Sequence, residues 1–135
     1  MASFTKINSF VENLAEKLID LSGAELTIAL TNTAHEAAWD ELADLTEVSY
    51  TNCSSRVITV STSAQTAGTY KLVCADLTLT ATGAVGPFQY VYIYDDGSTG
   101  DKLICYYDYG SAVTLANGDT FKIDFNAADG VLTIA

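Results

Sequence analysis

His35 is the only histidine in the chain, so a Ser-His-Asp or Cys-His mechanism would have to run through it. It lies in the polar segment TAHEAAWDELADL, distant in sequence from every cysteine, and a solvated surface histidine is the expected state. A metal site of the cupin type needs several histidines and is excluded in that form. Cys53, Cys74 and Cys105 are odd in number, widely spaced and set in apolar, strand-like runs. Zinc sites draw on paired ligands at short spacing, and no C-x-x-C occurs. Buried thiols are expected instead, in a protein made in a reducing cytosol.

The carboxylates offer two further chemistries. The run Asp95-Asp96-Gly97-Ser98-Thr99-Gly100-Asp101 gathers three acids around two glycines, the kind of flexible, oxygen-rich loop that calcium favours. It lacks the EF-hand spacing and the closing bidentate Glu, and a hairpin loop between two strands explains the same residues. Glycoside hydrolysis would need a carboxylate pair. With seventeen acidic residues some pair always lies close, so this signal singles nothing out. No cofactor is expected.

The elements that would carry these residues are mostly strands. Apolar side chains at Phe4, Ile7, Phe10, Val11, Leu14, Leu18 and Leu21 recur at helical spacing. They predict a helix over 4–21 or one ending early near Lys17, with Asn8 or Ser9 as cap and Gly23 as stop. From Glu25 the period becomes two: Leu26, Ile28 and Leu30 alternate with Thr27, Ala29 and Thr31, marking a half-buried strand. TAHEAAWDELADL reads as a short helix capped by Thr33 or as a long loop. Further strands are expected at about 46–51, 56–61, 70–73, 77–82, 88–94, 102–108, 112–115, 120–125 and 131–134, with a phase break at Ala75-Asp76. If the strands at 112–115 and 120–125 form a hairpin, matching their apolar rows demands the three-residue loop Ala116-Asn117-Gly118. The fold expectation is one mainly β domain. It comprises an N-terminal helical segment (1–23) and a two-sheet antiparallel sandwich of jelly-roll type (24–135).

Composition narrows the partners. Six basic residues face seventeen acidic ones, a formal charge of −11, which repels nucleic-acid phosphates and anionic membranes. The charge is expected to keep copies soluble and apart, with an acidic face that meets a basic partner as the second reading. No apolar run approaches the ~18 residues of a membrane span. The opening MASFTKINSFVEN lacks the pattern of a secretory signal.

Six of the eight tyrosines fall between Tyr90 and Tyr109. Phe88, Tyr90, Tyr92 and Tyr94 alternate with Val91 and Ile93, and Leu103, Cys105 and Tyr107 with Ile104 and Tyr106. One face of these strands fills the core. The other must be covered by the N-terminal helix, a loop or another subunit, and tyrosine suits an interface because its ring is apolar while its hydroxyl tolerates water.

The segments FVENLAEK, ELTIALTNT, LADLTEVSYTNCSSR, TYKLVCADLTLTATG, VGPFQYVYIYDD and LICYYDYGSAVTLANGDTFKIDF together resemble a group of small tailed-bacteriophage virion proteins, the capsid cement or head-decoration proteins. The resemblance spans nearly the whole chain. It implies a jelly-roll fold, self-association, and binding to the capsid exterior by bridging major capsid protein subunits; it carries over no catalytic motif. The family's loop after ALTNT is richer in Pro and Thr than AHEAAWDEL. On this reading the protein is a homo-oligomer, a dimer before a trimer, made in the host cytoplasm and placed on the virion. Tyr90, Tyr92, Tyr94, Tyr106 and Tyr109 are the self-association candidates. Phe4, Phe10 and Trp39 are the capsid-contact candidates. The alternative is a tail, baseplate or carbohydrate-binding module using Tyr94, Asp95, Asp96 and Asp101. A glycosidase would need a carboxylate of raised pKa in a deep cleft.

Overall fold

The computed structural model describes residues 2–22 and 25–135. It is mainly β, with antiparallel sheets and one short helix. In chain order the elements are β1 (Phe4–Lys6), α1 (Phe10–Ala15), β2 (Leu26–Thr31), β3 (Val60–Thr66), β4 (Thr69–Cys74), β5 (Leu77–Thr80), β6 (Val85–Asp95), β7 (Lys102–Leu115), β8 (Thr120–Ile123) and β9 (Leu132–Ile134). One layer is the sheet β1-β7-β6-β2. The facing layer is divided into β3-β4-β9 and β5-β8. A two-layer sandwich was expected; the strand order does not of itself spell out the jelly-roll connections.

The core between the layers is apolar, and its members come from both. Ile28, Ile93 and Cys105 of the first layer, and Leu72, Cys74 and Leu79 of the second, are at most a few per cent exposed. Phe88 of β6 meets Phe121 of β8 edge to face at 5.1 Å. A bulge lies between them and the tyrosines. Phe88 pairs with Val113, but Tyr90 pairs with Asp108, so residues 109–112 of β7 stand opposite little more than Gln89. Phe88 therefore turns to β8 while Tyr90 and Tyr92 turn to Tyr106. The expectation that Phe88 shares a face with the tyrosines is thereby corrected, and the two separate strands expected at 102–108 and 112–115 are one strand.

The N-terminal segment departs furthest from expectation. Phe4–Lys6 is a strand, paired Phe4 to Tyr107 and Lys6 to Cys105, and the helix keeps only six residues. Its apolar spacing fitted a helix, but Ile7 and Phe10 reach the core from either side of a turn. Ser9 is the N-cap, without the side-chain bond that usually defines one; its hydroxyl donates to Asp40 Oδ1 instead. The proposed stop at Gly23 lies outside the described residues.

β2 is buried at all six positions, not half-buried. One face meets the sandwich core and the other lies under the segment that follows. Residues 32–59 hold one 3-10 turn at Leu42–Asp44 and otherwise run irregularly over the tyrosine-bearing sheet. The strand expected at 46–51 and the first part of that expected at 56–61 are thus extended cover, touching β2 at the isolated bridges Glu47–Thr31 and Val57–Thr27, while Val60 and Ser61 open β3. The hairpin expected around Ala116–Gly118 does not form, because β8 pairs with β5 and not with β7. The turn itself exists: Asp119 N donates to Ala116 O, and Gly118 takes a left-handed φ of 90° that a side chain would resist.

Candidate functional site: the covered tyrosine sheet and an exposed apolar strip

The polar and aromatic residues singled out from the sequence converge on the outer face of β6 and β7. Tyr92 and Tyr106 stack at 5.2 Å, and His35 stacks on Tyr106 at 4.6 Å. Trp39 meets His35 edge-on at 5.5 Å, and His35 Nδ1 lies 3.0 Å from the Tyr92 hydroxyl. His35 is therefore half-buried in an aromatic cluster, not solvated as expected. Burial holds its imidazole below the usual value, against the opposing pull of Glu36. Burial likewise pushes the Tyr92 hydroxyl up, with Tyr106 and Tyr90 adding to the effect.

A charged node pins this cover to the sheet. Lys102 Nζ pairs with Asp40 Oδ2 and lies 3.4 Å from Glu41 Oε1. Asp40 Oδ1 accepts from Ser9 Oγ and, at 2.7 Å, from Asn13 Nδ2. Burial raises the Asp40 carboxyl, but the bonds from Lys102, Ser9 and Asn13 outweigh it and hold the group below its ordinary value. Three separate stretches (α1 with its cap Ser9, the cover and β7) are joined through one carboxylate.

The edge of β2 is finished by side chains. Leu30 N donates to the Tyr50 hydroxyl at 2.8 Å, and that hydroxyl donates to Glu47 Oε1 at 2.7 Å. Arg56 lies 3.7 Å above the Tyr50 ring and donates from Nη1 to Ile28 O, while Ile28 N donates to Arg56 O. Val48 N and Ile58 N complete the edge on Leu30 O and Leu26 O. An exposed edge invites pairing with other chains, and here the chain closes it itself.

The acidic loop is also consumed by structure. Asp95, 4 % exposed, accepts from Asp20 N and Gly97 N, and Ser98 Oγ donates to Asp95 O while accepting from Lys102 N. Among the described residues no group of three His, Cys, Asp or Glu side chains is placed to hold a metal ion. Burial raises Asp101, and the charges of Asp96, Asp95 and Glu41 raise it further; the residue is half-buried at the end of the 96–100 turn. Cys74 and Cys105 are buried free thiols, and burial pushes Cys74 up to about 11.

The predicted contact residues now divide. Tyr92 and Tyr94 are buried within one chain and offer no surface to a second; Phe10 is buried too. These three are corrected: the 32–59 cover and the core close over them. Tyr90, Tyr106 and Trp39 are half-buried in or beside the cluster. Tyr109, 53 % exposed, and Phe4, 39 % exposed, remain open. Both line a groove of about 650 Å³ floored by Val91, Tyr107 and Phe121.

A second apolar surface escaped the sequence. Phe4, Val11, Leu14 and Ile134 line a groove between β1, α1 and β9, and Leu14 and Ile134 continue into the adjoining groove beside Tyr70. Val11 is 52 % exposed and Ile134 40 %. Val11 and Leu14 were read as a core-facing helix stripe. The available signal was the brevity of a helix that must cross a sandwich edge: Phe10 and Asn13 point in, so Val11 points out.

No family model, curated protein or solved structure matches the chain.

Proposed function

We propose that the chain is a non-catalytic structural protein of a bacteriophage virion, binding the capsid exterior and stabilising the shell by bridging major capsid protein subunits. The observation that carries this reading is the apolar strip at β1, α1 and β9. The histidine, the hydroxyls of Tyr50 and Tyr92 and the buried carboxylate of Asp95 are occupied in holding the fold, while large apolar side chains are left outside. The resemblance to head-decoration proteins points the same way. Mechanically, a protein that binds only the assembled shell stabilises it by mass action, and linked copies multiply a modest contact. The carbohydrate-binding alternative is weakened, because Tyr94 and Asp95, two of its four residues, are buried.

The test is addition of purified protein to undecorated mature shells. Saturable binding at fixed lattice positions, with a higher shell melting temperature, is expected; no binding to any mature shell overturns the reading.

A further inference from the structure

We propose that Asn117-Gly118 is a self-modification site of this chain, where the asparagine cyclises and is hydrolysed to aspartate and isoaspartate, and that the fold holds the site shut through the bond from Gly118 N to Ala81 O.

The residue types select the site. Of the chain's asparagines only Asn117 is followed by glycine; the others precede Ser9, Leu14, Thr33, Cys53 and Ala127, whose side chains crowd the attacking nitrogen. Asn117 and Gly118 are both exposed, so water and base reach them. The Gly118 nitrogen gives its proton to solvent base, and its electron pair attacks the side-chain carbonyl carbon of Asn117. The side-chain nitrogen leaves as ammonia, taking a proton from water, and a five-membered succinimide remains. Water then opens either of the two ring C–N bonds. One opening gives aspartate; the other gives isoaspartate, whose main chain runs through the side-chain carbon. One water is consumed and one ammonia released.

The folded turn opposes the first step in three ways. Gly118 N donates to Ala81 O at 2.8 Å, so the proton that must leave is engaged. Gly118 has a φ of 90° and Asn117 does not have a positive φ, which marks a type II turn across Ala116–Asp119. Such a turn holds ψ of its second residue near about +120°, whereas ring closure needs the side-chain carbon and the following nitrogen eclipsed about the Cα–C bond. The Asp119 carboxylate, accepting from Ala116 N at 2.9 Å, disfavours negative charge developing on the same turn. The turn is also anchored: Ala81 N donates to Asp119 O at 2.9 Å, beside the last pair of the β5-β8 sheet, Thr80 with Thr120. Cyclisation therefore waits until this end of the sheet opens. Isoaspartate then adds a main-chain carbon inside the turn that Asp119 N and Ala116 O close, so a reacted copy cannot re-form it unchanged.

The test needs no shell and stands apart from the functional reading above. The full chain is held at mildly alkaline pH, native in one arm and in guanidinium chloride in the other, and followed by intact mass and peptide mapping. The denatured chain should gain the mass of amide converted to acid first at Asn117, and the native chain at least about tenfold more slowly. Asp96-Gly97 and Asp129-Gly130 can pass through the same ring, but without that mass gain. Guanidinium below the unfolding midpoint should speed the native reaction in step with the opened population. Asn117→Gln would have to close a six-membered ring and should remove the early gain from the denatured chain. Hydrogen exchange reads the attacking atom itself, and the Gly118 amide proton should be protected in the native chain. A native chain that reacts as fast as the denatured one, or a first gain at another asparagine, overturns the proposal. So does a Gly118 amide that exchanges as in a free peptide, because the bond to Ala81 would then hold nothing shut.

Discussion

At the scale of single residues, His35 is the group whose state the surroundings control most openly. It faces Tyr92 and Tyr106 on the sheet, Trp39 on its own segment and Glu36 beside it. The folded chain holds its pKa below 6.5, so the unfolded chain takes up the proton first as pH falls. Stability is complete above about 6.5, declines as pH drops towards the lower folded value, and levels off beneath it. His35→Phe keeps a ring against Tyr106 and should remove that part of the slope in urea titrations between neutral and mildly acid pH. The thiols give a second expectation. Burial favours the neutral thiol at all three cysteines, but Cys74 and Cys105 are buried and Cys53 only half-buried, so a thiol reagent at neutral pH should label Cys53 first and the other two only on unfolding.

At the scale of elements, β2 owes its closed edge to two side chains standing where a neighbouring strand would be. Tyr50→Phe strips the acceptor from Leu30 N and should cost about 1–3 kcal/mol by chemical denaturation, with little change in the denaturant slope. None of this edge was legible in the sequence. The alternation of Leu26, Ile28 and Leu30 announced the strand correctly, because period two survives whatever covers it. It could not announce that Thr27 and Thr31 would be buried as well, since a threonine hydroxyl is satisfied by any carbonyl in reach, here Glu25 O two residues away and Thr46 O on the covering segment. β3 was displaced for a related reason: VSTSAQT is mostly polar and exposed, and its pairing with β4 follows from the tight turn at Ala67-Gly68, not from hydropathy. Phe4 misled because one exposed aromatic on a three-residue edge strand satisfies helical and extended spacing equally.

At the scale of the whole molecule, the two layers are held by shape, and the cover by polar bonds. Phe88 is fully buried and meets Phe121 across the layers. Phe88→Ala should cost about 3–5 kcal/mol, read as a lowered urea midpoint in a single cooperative transition. The crowd of tyrosines was correctly read as two-faced, and the choice between loop and partner as its cover falls to the loop. The apolar surface that remains lies elsewhere, in the groove of Tyr109, Phe4 and Phe121 and at the N-terminal edge. A sequence states how much greasy material a chain contains, but which part of it stays outside depends on where a connecting segment happens to lie down.

One indole makes that arrangement visible to an optical instrument. Trp39 is the chain's only tryptophan, seated edge-on to His35 and 6.5 Å from the Tyr92 ring. An imidazolium quenches indole emission far more than a neutral imidazole does. Acidification should therefore dim the native fluorescence as the histidine charges, and a red shift should accompany any lifting of the segment into water. The protein carries its own gauge of whether its tyrosine sheet is covered, readable without a dye or a label.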